Sequence, residues 1–261
     1  NGRFVPVIWD LNESFGRFSL TGSGNLNSTI AKQQMSHVLN ENDNDFPLVK
    51  QLLSVPQYRR MYLAHVKTIL LENFDNDTYY STGLSLQNTI DAAVQADNNK
   101  FFSYNNFQSN LTTDINGGPG PGGGATPGIT NLMDGRNTYL LGLSDFNQTE
   151  PTIVELELSS TAPLVNESIT ISATIADGGT ALLGYRSDVK SAFTKVEMYD
   201  DGLHNDGAAN DGVYAAGIVV ENTYVQYYIY AENESAGLFS PRRAEHEFHS
   251  FTATISNPTV E

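Results

Sequence analysis

The sequence predicts a multidomain α+β protein, a mainly helical region followed by an all-β sandwich. Apolar residues between Phe46 and Leu143 recur every three to four positions, as they do along one face of a helix. After Glu150-Pro151 the period drops to two, as on a strand with one buried face. The length of 261 residues exceeds what one average domain needs and suffices for two modest cores. The boundary is expected between Phe146 and Pro151, giving domains over 1–147 and 148–261.

From Phe46 to about Phe74 the helical spacing runs through Leu48 and Leu52 and, past Pro56, through Tyr58, Tyr62, Val66, Ile69 and Leu70. Pro56 suits the first turn of a new helix, where its missing N–H leaves no bond unmade. Leu86, Ile90, Ala93 and Val94 mark a second amphipathic stretch. Tyr104, Phe107, Leu111 and Ile115 mark a third, and Leu132, Met133, Arg136, Leu140 and Leu143 a fourth. Four or five helices are therefore expected over 46–145. Between the last two, Gly117 to Gly124 alternates glycine and proline too freely for regular structure and predicts a flexible linker.

In the second half Val154, Leu156 and Leu158 alternate with Glu155 and Glu157, and Ile169, Ile171, Ala173 and Ile175 repeat the pattern. Val196 and Met198, then Val225, Tyr227 and Ile229, then Phe251, Ala253 and Ile255 continue it, with turn residues between the runs. Short alternating strands at that spacing over about 100 residues predict an antiparallel sandwich of the immunoglobulin type. Tyr224, Tyr227, Tyr228 and Tyr230 read either as a sugar-stacking platform or as alternate core and exposed positions, and the alternation favours the second.

Thirty acidic residues against fourteen basic give a net charge of -16, a field that repels phosphate backbones and anionic headgroups. Nucleic acid and membrane surfaces are therefore not expected partners. With no cysteine, disulfides, thiolate nucleophiles and cysteine-ligated metals are excluded. No stretch approaches the roughly 20 apolar residues of a membrane-spanning helix, and no internal repeat joins the halves. No Gly-x-Ser-x-Gly elbow anchors a hydrolase triad. His246 and His249, three apart on an expected strand, should face opposite sides, which argues against a zinc pair. Phe4 to Trp9 reads as a strand entered partway through a domain, so further sequence is expected ahead of Asn1.

The most specific motif is Val7-Ile8-Trp9-Asp10-Leu11-Asn12-Glu13-Ser14-Phe15-Gly16, an apolar strand ending in oxygen-bearing side chains and a glycine turn. Such a strand end can present carboxylate and amide oxygens to a hard cation carrying a phosphate. Asp10 and Asn12 can equally bond to turn amides. The stretch resembles the Trp-Asp-Leu-Asp/Asn…Ser-Phe-Gly signature of the CotH (spore coat protein H) kinase-like family, atypical kinases of spores and exported bacterial proteins. The likeness continues through Leu52-Leu53…Pro56-Gln57-Tyr58-Arg59-Arg60-Met61-Tyr62 to Asp134-Gly135-Arg136-Asn137-Thr138-Tyr139-Leu140-Leu141, covering residues 2–143.

The resemblance implies that the first domain is the mostly helical back half, or C-lobe, of a kinase-like fold in an exported protein. It places the metal-holding aspartate at Asp10, with Asn12 as a second magnesium ligand, and gives the intact parent ATP as cofactor and a secreted protein or cell-surface component as substrate. Asn12 stands where some members carry aspartate, which removes a charge from the site. The phosphate-covering loop, phosphate-contacting lysine and acceptor base of a kinase are expected in the preceding half. Gly117–Gly124 is no substitute, lacking the Gly-Lys-Ser/Thr ending of a P-loop. The expectation is an atypical protein kinase in the intact parent, with this chain alone inactive and binding ATP poorly. The alternative is a non-catalytic cell-surface binding or adhesion module.

A second acidic constellation runs from Tyr199 to Tyr214 and contains Asp200, Asp201, Asp206 and Asp211 among asparagines and glycines. These carboxylates could wrap calcium, although the spacing departs from the EF-hand register. The alternative is a hairpin loop ordered by Asx turns and positive-φ glycines. The segment resembles the Asp-Asp-Gly…Asn-Asp-Gly…Asp-Gly-Val-Tyr loop of immunoglobulin-like modules in exported Bacteroidetes proteins, and this likeness supports the domain more strongly than the calcium.

Overall fold

The computed structural model describes residues 7, 11, 14–18, 26–117 and 125–256. Apart from Val7, which is exposed and in no regular element, the strand expected over Phe4–Trp9 lies outside the described residues, as do the pair Asp10 and Asn12 and the glycine run from Gly118 to Gly124. The chain divides into two compact units, one built on the sandwich and one helical.

The helical unit contains α1 (Thr29–Gln33), α2 (Pro47–Leu53), the C-terminal end of α3 (Pro56–Ile69), α4 (Thr78–Ala96), α5 (Tyr104–Ser109) and α6 (Ile129–Leu141). Proline stands in the first turn of α2 and opens α3, where its missing N–H breaks no intrahelical bond. A π-helical turn, Leu70–Phe74, follows α3. The helix expected through Ile115 ends at Ser109, where Asn110 folds its amide onto the Thr113 and Pro127 carbonyls. Leu111 and Ile115 are buried beyond it, and Ile115 bridges to Thr126. The α1 helix was not foreseen. Its N-cap Ser28 accepts from the Ala31 N–H, and it packs on α6. The core is thin, formed by Leu70, Leu111, Ile115, Leu132, Leu140 and Phe146, and neither α2 nor α4 holds a buried residue.

The sandwich unit comprises the described residues from Gln148 onward together with Val55–His65. Its strands are β1 (Thr152–Leu158), β2 (Ser168–Ala176), β3 (Thr180–Arg186), β4 (Thr194–Met198), β5 (Val213–Val219), β6 (Tyr224–Glu232), β7 (Gly237–Ser240) and β8 (His249–Thr252). They form one antiparallel sheet of order β1-β2-β5 and another of order β4-β3-β6-β7, with β8 also pairing β6. Ile169, Ile171, Ala173 and Ile175 of β2 meet Leu183, Val225, Tyr227 and Ile229 in the core between the sheets.

Three expectations need correcting. In β1 the inward residues are Ile153, Leu156 and Leu158, while Val154 is exposed. Glu155 at φ 51° makes a bulge, and the extra residue flips the side-chain parity. Beside β6 there is no exposed tyrosine platform and no polar outer face, because Tyr228 and Tyr230 are buried in a second core with Phe193, Phe239, Ala244 and α3's Ala64. Gly184 and Gly237 leave room for those rings, since a Cβ at either position would lie 2.3 Å from the Tyr228 or Tyr230 side chain. His246 lies in a turn before β8, not on a strand.

At the heart of the second core Glu232, 6% exposed, accepts a fork from Arg60 Nε (3.0 Å) and Nη2 (2.9 Å) and a 2.7 Å bond from the Tyr230 hydroxyl. Burial pushes the carboxyl up, but these donors hold it below the usual range and keep it ionised. His65 stacks on Phe239 of this core with ring centroids 4.5 Å apart.

Candidate functional site

The described part of the N-terminal motif ends in the turn Ser14–Arg17, closed by the Arg17 N–H to the Ser14 carbonyl at 3.4 Å, with the Ser14 N–H donating back to the Leu11 carbonyl at 3.0 Å. Gly16 sits at φ +73°, and a Cβ there would meet Leu132 Cδ2 at 2.9 Å and Lys32 Cδ at 3.1 Å. The glycine of the motif is thus required twice, by its left-handed backbone and by close packing on α1 and α6. Arg17 and Lys32 are both buried, and Lys32 Nζ donates to the Ala125 carbonyl at 3.4 Å. Burial and the neighbouring Arg17 charge push the Lys32 ammonium below its ordinary pKa, and Asp114 opposes them.

Asp114 joins α1 to the start of α6. It accepts from Thr29 Oγ1 (2.6 Å), from the Gly128 N–H at the start of α6 (2.7 Å) and from Asn131 Nδ2 (2.9 Å). Burial pushes its carboxyl up, yet these three donors bring it below the usual carboxylate range. The motif Asp134–Leu141 proves to be framework. Arg136 Nη1 donates to the Lys32, Gln33 and Met35 carbonyls at the end of α1, at 3.3, 3.2 and 2.9 Å. Asn137 donates to Asp75 at 3.2 Å, and Tyr79 donates to Asp134. Burial, with the Asp134 bond next, pushes the Tyr79 phenol above its ordinary range.

Asp10 and Asn12 themselves fall outside the described residues, so their fit to a cation rests on donor chemistry. A carboxylate and an amide oxygen are hard donors suited to magnesium.

The second acidic site is described in full. Asp206, 1% exposed, accepts the backbone N–H groups of Asp201, Gly202 (2.7 Å) and His204 (2.9 Å). Asp200 accepts from the N–H groups of Asp211 (3.1 Å) and Gly212 (3.0 Å), and Asp211 from those of Ala208 and Val213, both at 2.9 Å. Asp201 accepts from the Leu203 N–H and pairs with His204 Nδ1, again at 2.9 Å. Gly202, Gly207 and Gly212 hold φ of +75°, +90° and +87°. Each of the four carboxylates is therefore engaged by the loop's own backbone. Burial pushes Asp206 up, but its N–H donors bring it below the ordinary range. Among the described residues no group of three or more His, Asp or Glu side chains is gathered as a metal would need.

The helical unit and the two-sheet sandwich fit a kinase-like region carried with an immunoglobulin-like module, and comparison with known families gives the same pairing. Residues 1–115 match the family described as CotH kinase protein, and residues 189–249 match the conditioned medium factor 2nd Ig-like domain. The motif at 134–141 lies beyond the first match. A search of curated proteins gave no match. No described helix is long and apolar enough to cross a membrane.

Proposed function

We propose that this chain supplies the metal-holding and helical part of an exported CotH-like atypical protein kinase, with the sandwich as its accessory module. The observation that carries the reading is the match of residues 1–115 to the CotH kinase family, which spans the Trp9-Asp10-Leu11-Asn12 signature. The close packing of Gly16 on Lys32 and Leu132 supports it, because it gives the glycine of the signature a structural requirement of its own. Asp10 would hold magnesium with help from Asn12, and the ion would neutralise phosphate charge on ATP. Asp114 and Arg136 hold α1 and α6, the two surfaces on which the turn rests. The acceptor would be a secreted protein or a cell-surface component.

The Asp200–Asp211 loop is proposed to be ordered by its own amides, with any calcium secondary. Calorimetric titration with ATP and magnesium tests the division of labour. Weak binding that does not saturate at millimolar ATP is expected for this chain, and tight magnesium-dependent binding would show that it carries a complete nucleotide site. If the motif is only a surface scaffold, Asp10→Ala will leave every metal response unchanged.

A further inference from the structure

The helical unit contains a long open groove of about 910 Å³, lined throughout by residues of that unit. One wall comes from α4, where Thr78, Thr82, Leu86, Ile90 and Val94, at intervals of four, form a stripe that winds gradually round the helix. At 1.5 Å per residue they trace a line about 24 Å long. Phe74, Phe101, Phe107 and Leu111 also line it. The apolar surface is open to water, with Phe101 83% and Leu86 61% exposed. A patch of this kind on a folded surface marks a binding site more often than an accident.

Charge narrows the occupant. In a chain of net charge -16, the described lining residues include no carboxylate, and Lys100 is the one charged side chain among them. It follows the C-terminus of α4 closely in sequence, beyond Val94, and donates to the nearby Asp97 carbonyl. Three of the four amides that line it, Asn73, Gln87 and Asn110, already donate to carbonyls of the same unit. Every backbone group of an extended peptide would need a partner from this largely apolar wall, whereas an alkyl chain needs none.

We propose that this groove binds a free long-chain fatty acid, with the alkyl chain along α4 and the carboxylate at Lys100. One acyl chain fills half of a bilayer's hydrocarbon core of about 30 Å, and so is shorter than the α4 line. The chain removes Leu86, Ile90 and Phe101 from water, and the carboxylate meets the groove's only described cation.

The test is displacement of a fluorescent polyene fatty acid from the full chain by palmitate, kept below its micelle concentration. One saturable site is expected, with octanoate at least tenfold weaker. Ile90→Glu, a change at a half-exposed position, should abolish binding while leaving the melting transition in place. Lys100→Met should weaken palmitate about tenfold and leave hexadecanol unchanged. The proposal fails if octanoate competes as well as palmitate, or if Ile90→Glu binds normally. It also fails if Lys100→Met has no effect, or if an amphipathic helical peptide occupies the groove and palmitate does not displace it. None of these outcomes depends on phosphate transfer, so they leave the kinase reading to its own test.

Discussion

The sandwich buries both faces of its central strand β6, whereas the helical unit runs the nineteen residues of α4 without burying one. Tyr230 and Ile229, adjacent in sequence, point into two different cores and are each 0% exposed. Leu86 and Ile90, a helical turn apart, are 61% and 48% exposed. Stability should therefore be concentrated in the sandwich unit, while the open apolar surface available to a ligand belongs to the helical one. Substitutions should have unequal effects in the two places.

The largest effect is expected at the second core. Arg60→Ala leaves Glu232 buried without its cation, and breaking such a pair costs about 3 kcal/mol. Thermal unfolding should show the sandwich transition falling by several degrees, and an unchanged transition would mean the second core is not cohesive. Next comes the acidic loop. Gly207→Val forces a β-branched residue to φ +90° and puts its Cβ 2.6 Å from Asp211 Oδ2, a strain of about 2 kcal/mol. Millimolar calcium should leave the wild-type transition within a degree. A rise of several degrees that vanishes in Asp211→Ala would show that the ion holds the loop.

A smaller effect is expected from pH. Burial, then the facing His246, push His65 below its ordinary pKa against the pull of Glu245, and burial does the same to His249. A lowered folded pKa means that the unfolded chain binds protons more readily. Stability is therefore complete above the normal histidine range near 6.5 and is lost as the pH falls below it. Melting followed from pH 7.5 to 5 should decline, and more shallowly in His65→Gln. The smallest effect belongs to α4, where Leu86→Gln should change stability by less than about 0.5 kcal/mol. A larger loss would mean that α4 is buried in solution.

The same contrast governs what the sequence discloses. The core between the sheets was legible because alternation is a local signal, carried within β2 and within β6. Strand β3 escaped notice because Leu182 and Leu183 are adjacent and Gly184 has no side chain to mark a face. The second core could not be read, since Tyr230 and Glu232 find Ala64 and Arg60 about 170 residues away in the chain. Glu155 gives no residue-type signal for its bulge. At the candidate site the glycine turn and the aspartate loop announced themselves through positive-φ residues. Asp114 and Lys32 did not, because a lone carboxylate and a lone lysine carry no spacing from which their meeting could be inferred.

The claim on which the functional reading rests is that Asp10, rather than the aspartate loop, is the residue through which this protein engages a divalent ion. Water-proton relaxation during manganese titration measures this on the full chain. The account predicts a paramagnetic enhancement that is lost in Asp10→Ala and retained in Asp201→Ala. Retention in Asp10→Ala with loss in Asp201→Ala would contradict it.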